Sequence, residues 1–271
     1  MKQAKARRSG ASDGQDLQKL AELRAKIDAI DESIHGLLIQ RASVIDELIS
    51  AKGAVRTGAA FRPGREADMM RRIAARHRGD LPLSAIEHIW REIISTFTHM
   101  QAPYTVHVAT EGGIAHALDA ARFTFGFTVP LALHDNAADA IAALAGANAV
   151  AVIPLGAAGA WWRMLGGPGN PAIMARLPFL RIAGRNAGLD AVVIAPPLSD
   201  PAPFEVAITA VTLPAGFPVP ASGEGAEILG GVAGVDETEL LVAGALPASV
   251  KHAALDIRPA GGYFAPFTPA D

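Results

Sequence analysis

The chain has 271 residues, half of them apolar and 19% charged, with a formal net charge of −3, which describes a protein with real cores and argues against a net-basic nucleic-acid binder. It contains no cysteine, and this excludes a disulfide scaffold, a thiolate zinc site, an iron–sulfur cluster and a cysteine nucleophile. No apolar run approaches the roughly 20 residues of a membrane helix, and the opening MKQAKARRSGASDGQD is basic and polar, so residues 1–16 read as a disordered tail of a cytoplasmic protein, not as a secretory signal.

The average charge hides a break. Residues 1–103 hold 17 Lys+Arg and 13 Asp+Glu, and residues 104–271 hold 7 and 14. The same cut separates 3 prolines and 7 glycines from 16 and 20. Both changes place a domain boundary near Pro103, with a helical part before it and a mixed part after it. The expected organisation is multidomain: a tail over 1–16, an all-α three-helix domain over 17–103, an α/β region over 104–200 and a small α+β module over 201–271.

The first helix runs from Leu17 to about Lys52. Leu20, Leu23, Ile27, Ile30, Ile34, Leu37, Val44 and Leu48 recur with the seven-residue period of a long packed helix. At about 1.5 Å per residue it spans roughly 54 Å, longer than a domain of about 100 residues is wide. Such a stripe needs partners along its length, and pairing with a second copy supplies them. The second helix opens at Arg62-Pro63-Gly64-Arg65-Glu66, with proline early, where no donor is required. Met69, Met70 and Ile73 form its inner face. The third starts at Ser84, with Glu87 three residues on as a capping box, and carries Ile86, Ile89, Trp90, Ile93, Ile94 and Phe97.

Polar residues interrupt these stripes. Arg41 stands in the column Leu20-Ile27-Ile34-Arg41-Leu48, and Lys52, 11 residues beyond, returns to nearly the same face at about 100° per residue. Gln101 continues Trp90-Ile94-Phe97, and Glu66 lies one turn before Met69 and Met70. Long side chains can snorkel out to water. Several cations directed inward instead call for an anionic ligand, because buried charge is costly unless paired. Arg24 is 17 residues from Arg41, about 25 Å along the helix. Side chains of one chain do not close that gap, so Arg24 joins Arg41 in one pocket only from an antiparallel partner helix.

LRAKIDAIDESIHGLLIQR (Leu23 to Arg41), Lys52, RPGRE (Arg62 to Glu66) and IWREIIS (Ile89 to Ser95) ending in Gln101 resemble the all-helical class of chorismate mutases over residues 17–101. The resemblance implies an intertwined homodimer of three-helix chains and the rearrangement of chorismate to prephenate, with no cofactor and no metal. It further implies that Arg41, with Arg24 from the other chain, clamps the two substrate carboxylates. Lys52 and Gln101 donate to the ether oxygen, Glu66 accepts from the substrate hydroxyl, and Arg65 helps hold the carboxylate side. Where some members have an acidic residue and a small polar one, this chain has Arg62 and Phe97, which touches fine geometry and rate but leaves the clamp in place.

After Pro103 short β-branched runs alternate with helical stretches: strands at Tyr104–Ala109, Leu131–Leu133 and Ala149–Ile153, helices at Ile114–Phe123 and Ala137–Leu144. This reads as an open, mostly parallel sheet. HVATEGGIAHA (His107 to Ala117) and AVAVIPLG (Ala149 to Gly156) resemble the first lobe of prephenate dehydratase. The departures point to lost dehydratase chemistry. No Thr-Arg-Phe motif precedes the last strand, which reads Gly188-Leu189-Asp190-Ala191-Val192, and Leu155-Gly156-Ala157 replaces a Glu-Asn-Ser end. Gly112-Gly113, Trp161-Trp162 and Gly166-Gly167-Pro168-Gly169 read as turns and packing, and His107, His116 and His134 as unrelated histidines, not metal ligands. From Phe204 the order suits a βαββαβ regulatory module, with strands at 204–213, 239–243 and 262–267 and helices at 224–229 and 249–254. The leading expectation is a monofunctional mutase that binds chorismate and neither nucleic acid nor membrane. The alternatives are a bifunctional mutase–dehydratase and a non-catalytic aromatic-metabolite sensor.

Overall fold

The computed structural model describes residues 2–52, 61–146, 148–182, 190–198, 203–219, 222–223 and 225–269, with side chains of the first helix described from 15 to 50. Two compact units make up the chain, Met1–Val55 and Arg56–Asp271. Charge and breaker content shift at Pro103, whereas packing divides the chain earlier.

The first unit is one helix, α1 (Lys2–Lys52), which is helical within the segment 1–16 that composition marks as a disordered tail. Its proline-free sequence lets the hydrogen-bond ladder run unbroken. Leu20, Leu23, Ile27, Ile30, Ile34, Leu37 and Val44 are exposed, so the seven-residue stripe forms a continuous apolar face open to solvent.

In the second unit α2 (Pro63–Arg76) carries Pro63 in its first turn, and α3 (Leu83–Gln101) follows. The capping box expected at Ser84 and Glu87 is absent: Pro82 is the N-cap, no side chain caps the helix, and Glu87 is buried. Met70 and Ile73 of α2 and Ile94 of α3 pack with Phe179 and Leu180 of the C-terminal part, with Phe264 and Phe267 against them. Arg71 grips Glu205 through two hydrogen bonds of 2.8 and 2.6 Å. Glu92 of α3 accepts from the backbone N–H of Phe127 at 2.9 Å, beyond the end of α4 (Ile114–Phe125).

Among the described residues the mixed sheet has nine strands: β1 (Thr105–Ala109), β2 (Leu131–His134), β3 (Ala149–Pro154), β4 (Ala172–Leu177), β5 (Ala191–Ala195), β6 (Val206–Pro214), β7 (Ala226–Ala233), β8 (Glu237–Gly244) and β9 (Asp256–Tyr263). Their order is β2-β1-β3-β5-β4-β9-β6-β8-β7. β1 pairs in parallel with β2 and β3, but β5 is antiparallel to both β3 and β4, so the sheet is mixed and not mostly parallel as expected. β5 and most of β3 are buried on both faces, as their uninterrupted apolar sequences require. α4 covers one face through Ala117, Ala121 and Phe125, and α5 (Ala137–Ala142) the other.

One parallel pair, Ile173↔Gly261, joins the strands before residue 200 to those after it in a single sheet. The later strands run antiparallel in the order β9-β6-β8-β7, with α6 (Ala248–Ala253) between β8 and β9. Of the helix expected at 224–229, the part from Ala226 on is instead β7, and residue 224 lies outside the described residues; the strand expected at 262–267 is β9, which begins at Asp256 and ends at Tyr263. Trp161 and Trp162 form a buried single turn of 3-10 helix, and Gly230 leaves room on β7 for the Trp162 ring.

Gly261 marks the tight point of the joint. Its φ is +126°, and a Cβ there would sit 2.2 Å from the Ile173 carbonyl oxygen. Gly261→Ala is therefore expected to destabilise by at least about 1–3 kcal/mol from the backbone conformation alone. Calorimetry should show this as a Tm lower by roughly 2–4 °C per kcal/mol. A variant as stable as the parent would show that the joint relaxes freely.

Candidate functional site

In the first unit, Arg24 is exposed on α1 and Arg41 is half-buried on the same helix. Because α1 is uninterrupted between them, their 17-residue separation is fixed at about 25 Å. Lys52 is the last residue of α1, and its side chain lies outside the described residues.

In the second unit, Arg65 is exposed and lines an open cavity of about 300 Å³ with Arg62, Leu198, Phe204 and Phe264. Gln101 is half-buried, and its amide nitrogen donates to the Phe97 carbonyl one turn back at 3.1 Å. The amide carries a second N–H for another acceptor. Glu66 turns inward, where its Oε2 accepts from Arg91 Nη1 at 3.1 Å, with the two side chains 14% and 6% exposed. Removal from water pushes the Glu66 carboxyl up from the ordinary range, and the charge and hydrogen bond of Arg91 act against that shift. Tyr104 is pushed up by burial and then by the Glu66 charge.

Sequence reasoning missed Arg91 and misread Glu87. Glu87 is 1% exposed, and its Oε1 lies 4.0 Å from Arg91 Nε. Its signal is the four-residue spacing Glu87-Arg91-Ser95, a polar column on the buried side of α3. Glu66, Arg91 and the buried Arg176 of β4 line a cavity of about 20 Å³, room for about one water, walled by Phe61, Met174 and Phe264. Arg176 is held at 3.3 Å by Glu227 and at 3.4 Å by Asp190.

A second correction concerns the histidines. His107 Nδ1 and His134 Nε2 are 2.8 Å apart, at hydrogen-bond distance, so these two are not unrelated. The parallel register sets Ala109 opposite His134, which brings the two side chains onto the same face. Burial and then the neighbouring ring push His107 below its ordinary value. Among the described residues, no group of three or more His, Asp or Glu could hold a metal ion, and no helix is long and apolar enough to cross a membrane.

Three helices with charged residues on their apolar stripes, followed by a mixed sheet, define the class of protein. Residues 23–102, within the helical part of the chain, match the family model for chorismate mutase type II. A bifunctional chorismate mutase/prephenate dehydratase of Neisseria gonorrhoeae is 36% identical over 83 residues, covering 31% of this chain and 22% of the relative. Proteins of the same description from Stutzerimonas stutzeri and Pseudomonas aeruginosa are each 30% identical over 148 residues, 52% of this chain and 40% of theirs. The chain thus spans about two fifths or less of the length of these curated relatives. No solved structure matches the chain at a significant level.

Proposed function

We propose that the chain is a chorismate mutase that converts chorismate to prephenate without a cofactor, as a homodimer in the cytoplasm. The observation that carries this reading is the family match over residues 23–102, which contains Arg24, Arg41, Lys52, Arg65, Glu66 and Gln101. In the rearrangement one C–O bond breaks as one C–C bond forms, and no proton is exchanged with the protein. The gain comes from holding the substrate in its compact reactive shape and from donors aimed at the oxygen that becomes negative. Arg41, with Arg24 of the other copy, and Arg65 supply the hold on the carboxylates. Lys52 and Gln101 supply the donors to the ether oxygen, and Glu66 supplies an acceptor for the substrate hydroxyl. The exposed apolar face of α1 supports the homodimer, since a monomer rarely leaves so long a stripe in water.

A chorismate-consumption assay with product identification tests the reading directly. Lys52→Ala should lower kcat/KM by the order of 10²-fold or more, the cost of a lost transition-state donor. A Lys52→Ala protein with full mutase activity overturns the assignment.

One observation favours a second reading. The matches to the S. stutzeri and P. aeruginosa proteins run over 148 residues, longer than the helical domain, so they reach into the sheet. The missing Thr-Arg-Phe and Glu-Asn-Ser elements weigh against dehydratase chemistry there. Phenylpyruvate formed from prephenate by the purified chain would establish the bifunctional reading.

A further inference from the structure

We propose that Arg91 is a positioning residue for Glu66: backed by Glu87, it fixes the Glu66 carboxylate as the acceptor for the substrate hydroxyl. This rests on the mutase reading above and adds a residue to its site. The geometry is a buried relay between two helices. Glu87 and Arg91 lie one turn apart on α3, and Glu66 reaches them from α2. The Nε side of the guanidinium is 4.0 Å from Glu87 Oε1, and Nη1 is 3.1 Å from Glu66 Oε2. A planar guanidinium with carboxylates at two of its edges has its orientation set, which a lysine ammonium on a flexible stem does not achieve. The contact occupies one Glu66 oxygen, and a carboxylate has a second with which to accept.

A purely structural reading of this trio is weak on energetic grounds. Desolvating two carboxylates and a guanidinium gives little or no net stability compared with apolar side chains of the same volume. Its chemical consequence is larger. Glu66 accepts a hydrogen bond best when ionised, and burial opposes ionisation while Arg91 favours it. Among the described residues, Tyr104 beyond the end of α3 is coupled to the Glu66 charge, and Arg176 of β4 lines the small cavity with it. Of these groups Arg91 is the one that donates a hydrogen bond to Glu66 among the described residues.

The test is the pH dependence of kcat/KM for the full chain, compared among the parent, Arg91→Gln, Arg91→Lys and Glu66→Gln. Removing the cation leaves burial unopposed, so the ionised acceptor forms only at higher pH. The acid limb of Arg91→Gln should move up by about one pH unit or more, the usual effect of an opposite charge at this range. Arg91→Lys should move it less, and Glu66→Gln should lack it. An unchanged limb in folded Arg91→Gln overturns the proposal. If Arg91→Gln does not fold, Arg91→Lys decides: a lowered kcat/KM with little movement of the limb is expected, and parental kcat/KM overturns it. Titration of the Glu66 side-chain carboxyl by ¹³C NMR separates the two readings. A parent without mutase activity defeats the mutase reading, while a carboxyl midpoint unmoved in folded Arg91→Gln defeats the positioning role.

Discussion

Two inactive variants, Arg24→Ala and Arg41→Ala, are expected to regain mutase activity when their chains are mixed and allowed to exchange. α1 is unbroken between the two arginines, so they stand about 25 Å apart on one chain and cannot share a ligand. In an antiparallel pair, Arg24 of one copy lies beside Arg41 of the other. Each single variant loses one arm of the carboxylate clamp at both sites. A truncated, buried, hydrogen-bonded charge pair costs about 2–5 kcal/mol, roughly 30-fold to several-thousand-fold in rate. A mixed dimer concentrates both lesions in one site and leaves the other whole. Random exchange makes about half the dimers mixed, so close to a quarter of the parental activity should return. Ile27→Asp in both chains, which puts charge on the exposed apolar face, should abolish the recovery together with the dimer. Failure of the mixture to regain activity, with exchange verified by mass spectrometry, would sink the shared site.

How far the sequence carries this picture differs from element to element. The seven-residue apolar period of α1 is a local property, and one uninterrupted helix is what it yields. β3 and β5 are equally legible, because short β-branched runs without charge fit only strands covered on both faces. β7 was not: AEILGGVA has no alternation strong enough to outweigh a helical reading, and its strand character comes from pairing with β8. The histidine pair is invisible for a similar reason, since 27 residues separate the rings and only the β1–β2 register joins them.

Glu87 shows the limit most clearly. The spacing Ser84–Glu87 satisfies a local capping rule, but α3 starts from Pro82 and the carboxylate is drawn inside by Arg91. Tertiary pairing overrides the local preference. Of the residues assigned from the family resemblance, Arg24, Arg41 and Lys52 lie in one compact unit and Arg65, Glu66 and Gln101 in the other. Composition missed that division because charge and glycine content track the change from helix to strand, not the packing of α2 and α3. Those two helices bury their apolar faces on the C-terminal part of the chain.

Under the proposed reaction, that packing gives the sheet a role although the residues assigned to the chemistry all precede it. Leu180→Asp is expected to abolish mutase activity although Leu180 lies outside residues 23–102. Leu180 is fully buried beside Met70 and Ile73 of α2 and Ile94 of α3. Its own backbone is locked, because Phe267 N–H donates to Phe179 O at 2.7 Å and Arg181 N–H donates to Phe267 O at 2.8 Å. A carboxylate placed there has no partner in an apolar cluster, and such substitutions cost more than about 4–5 kcal/mol. That is a large part of the roughly 5–15 kcal/mol that holds a domain folded. For a unit of this size Tm should fall by some 10 °C or more. Leu180→Ala removes the same contact without adding charge, and should cost about 2–5 kcal/mol while leaving a folded protein at low temperature. The graded pair separates packing from chemistry. If α2 and α3 depend on the sheet to present Glu66 and Gln101, Leu180→Ala should keep its activity in the cold and lose it on warming in step with unfolding. Leu180→Asp should have none at either temperature. A Leu180→Asp chain with parental Tm and parental turnover would show that the catalytic helices stand without the sheet.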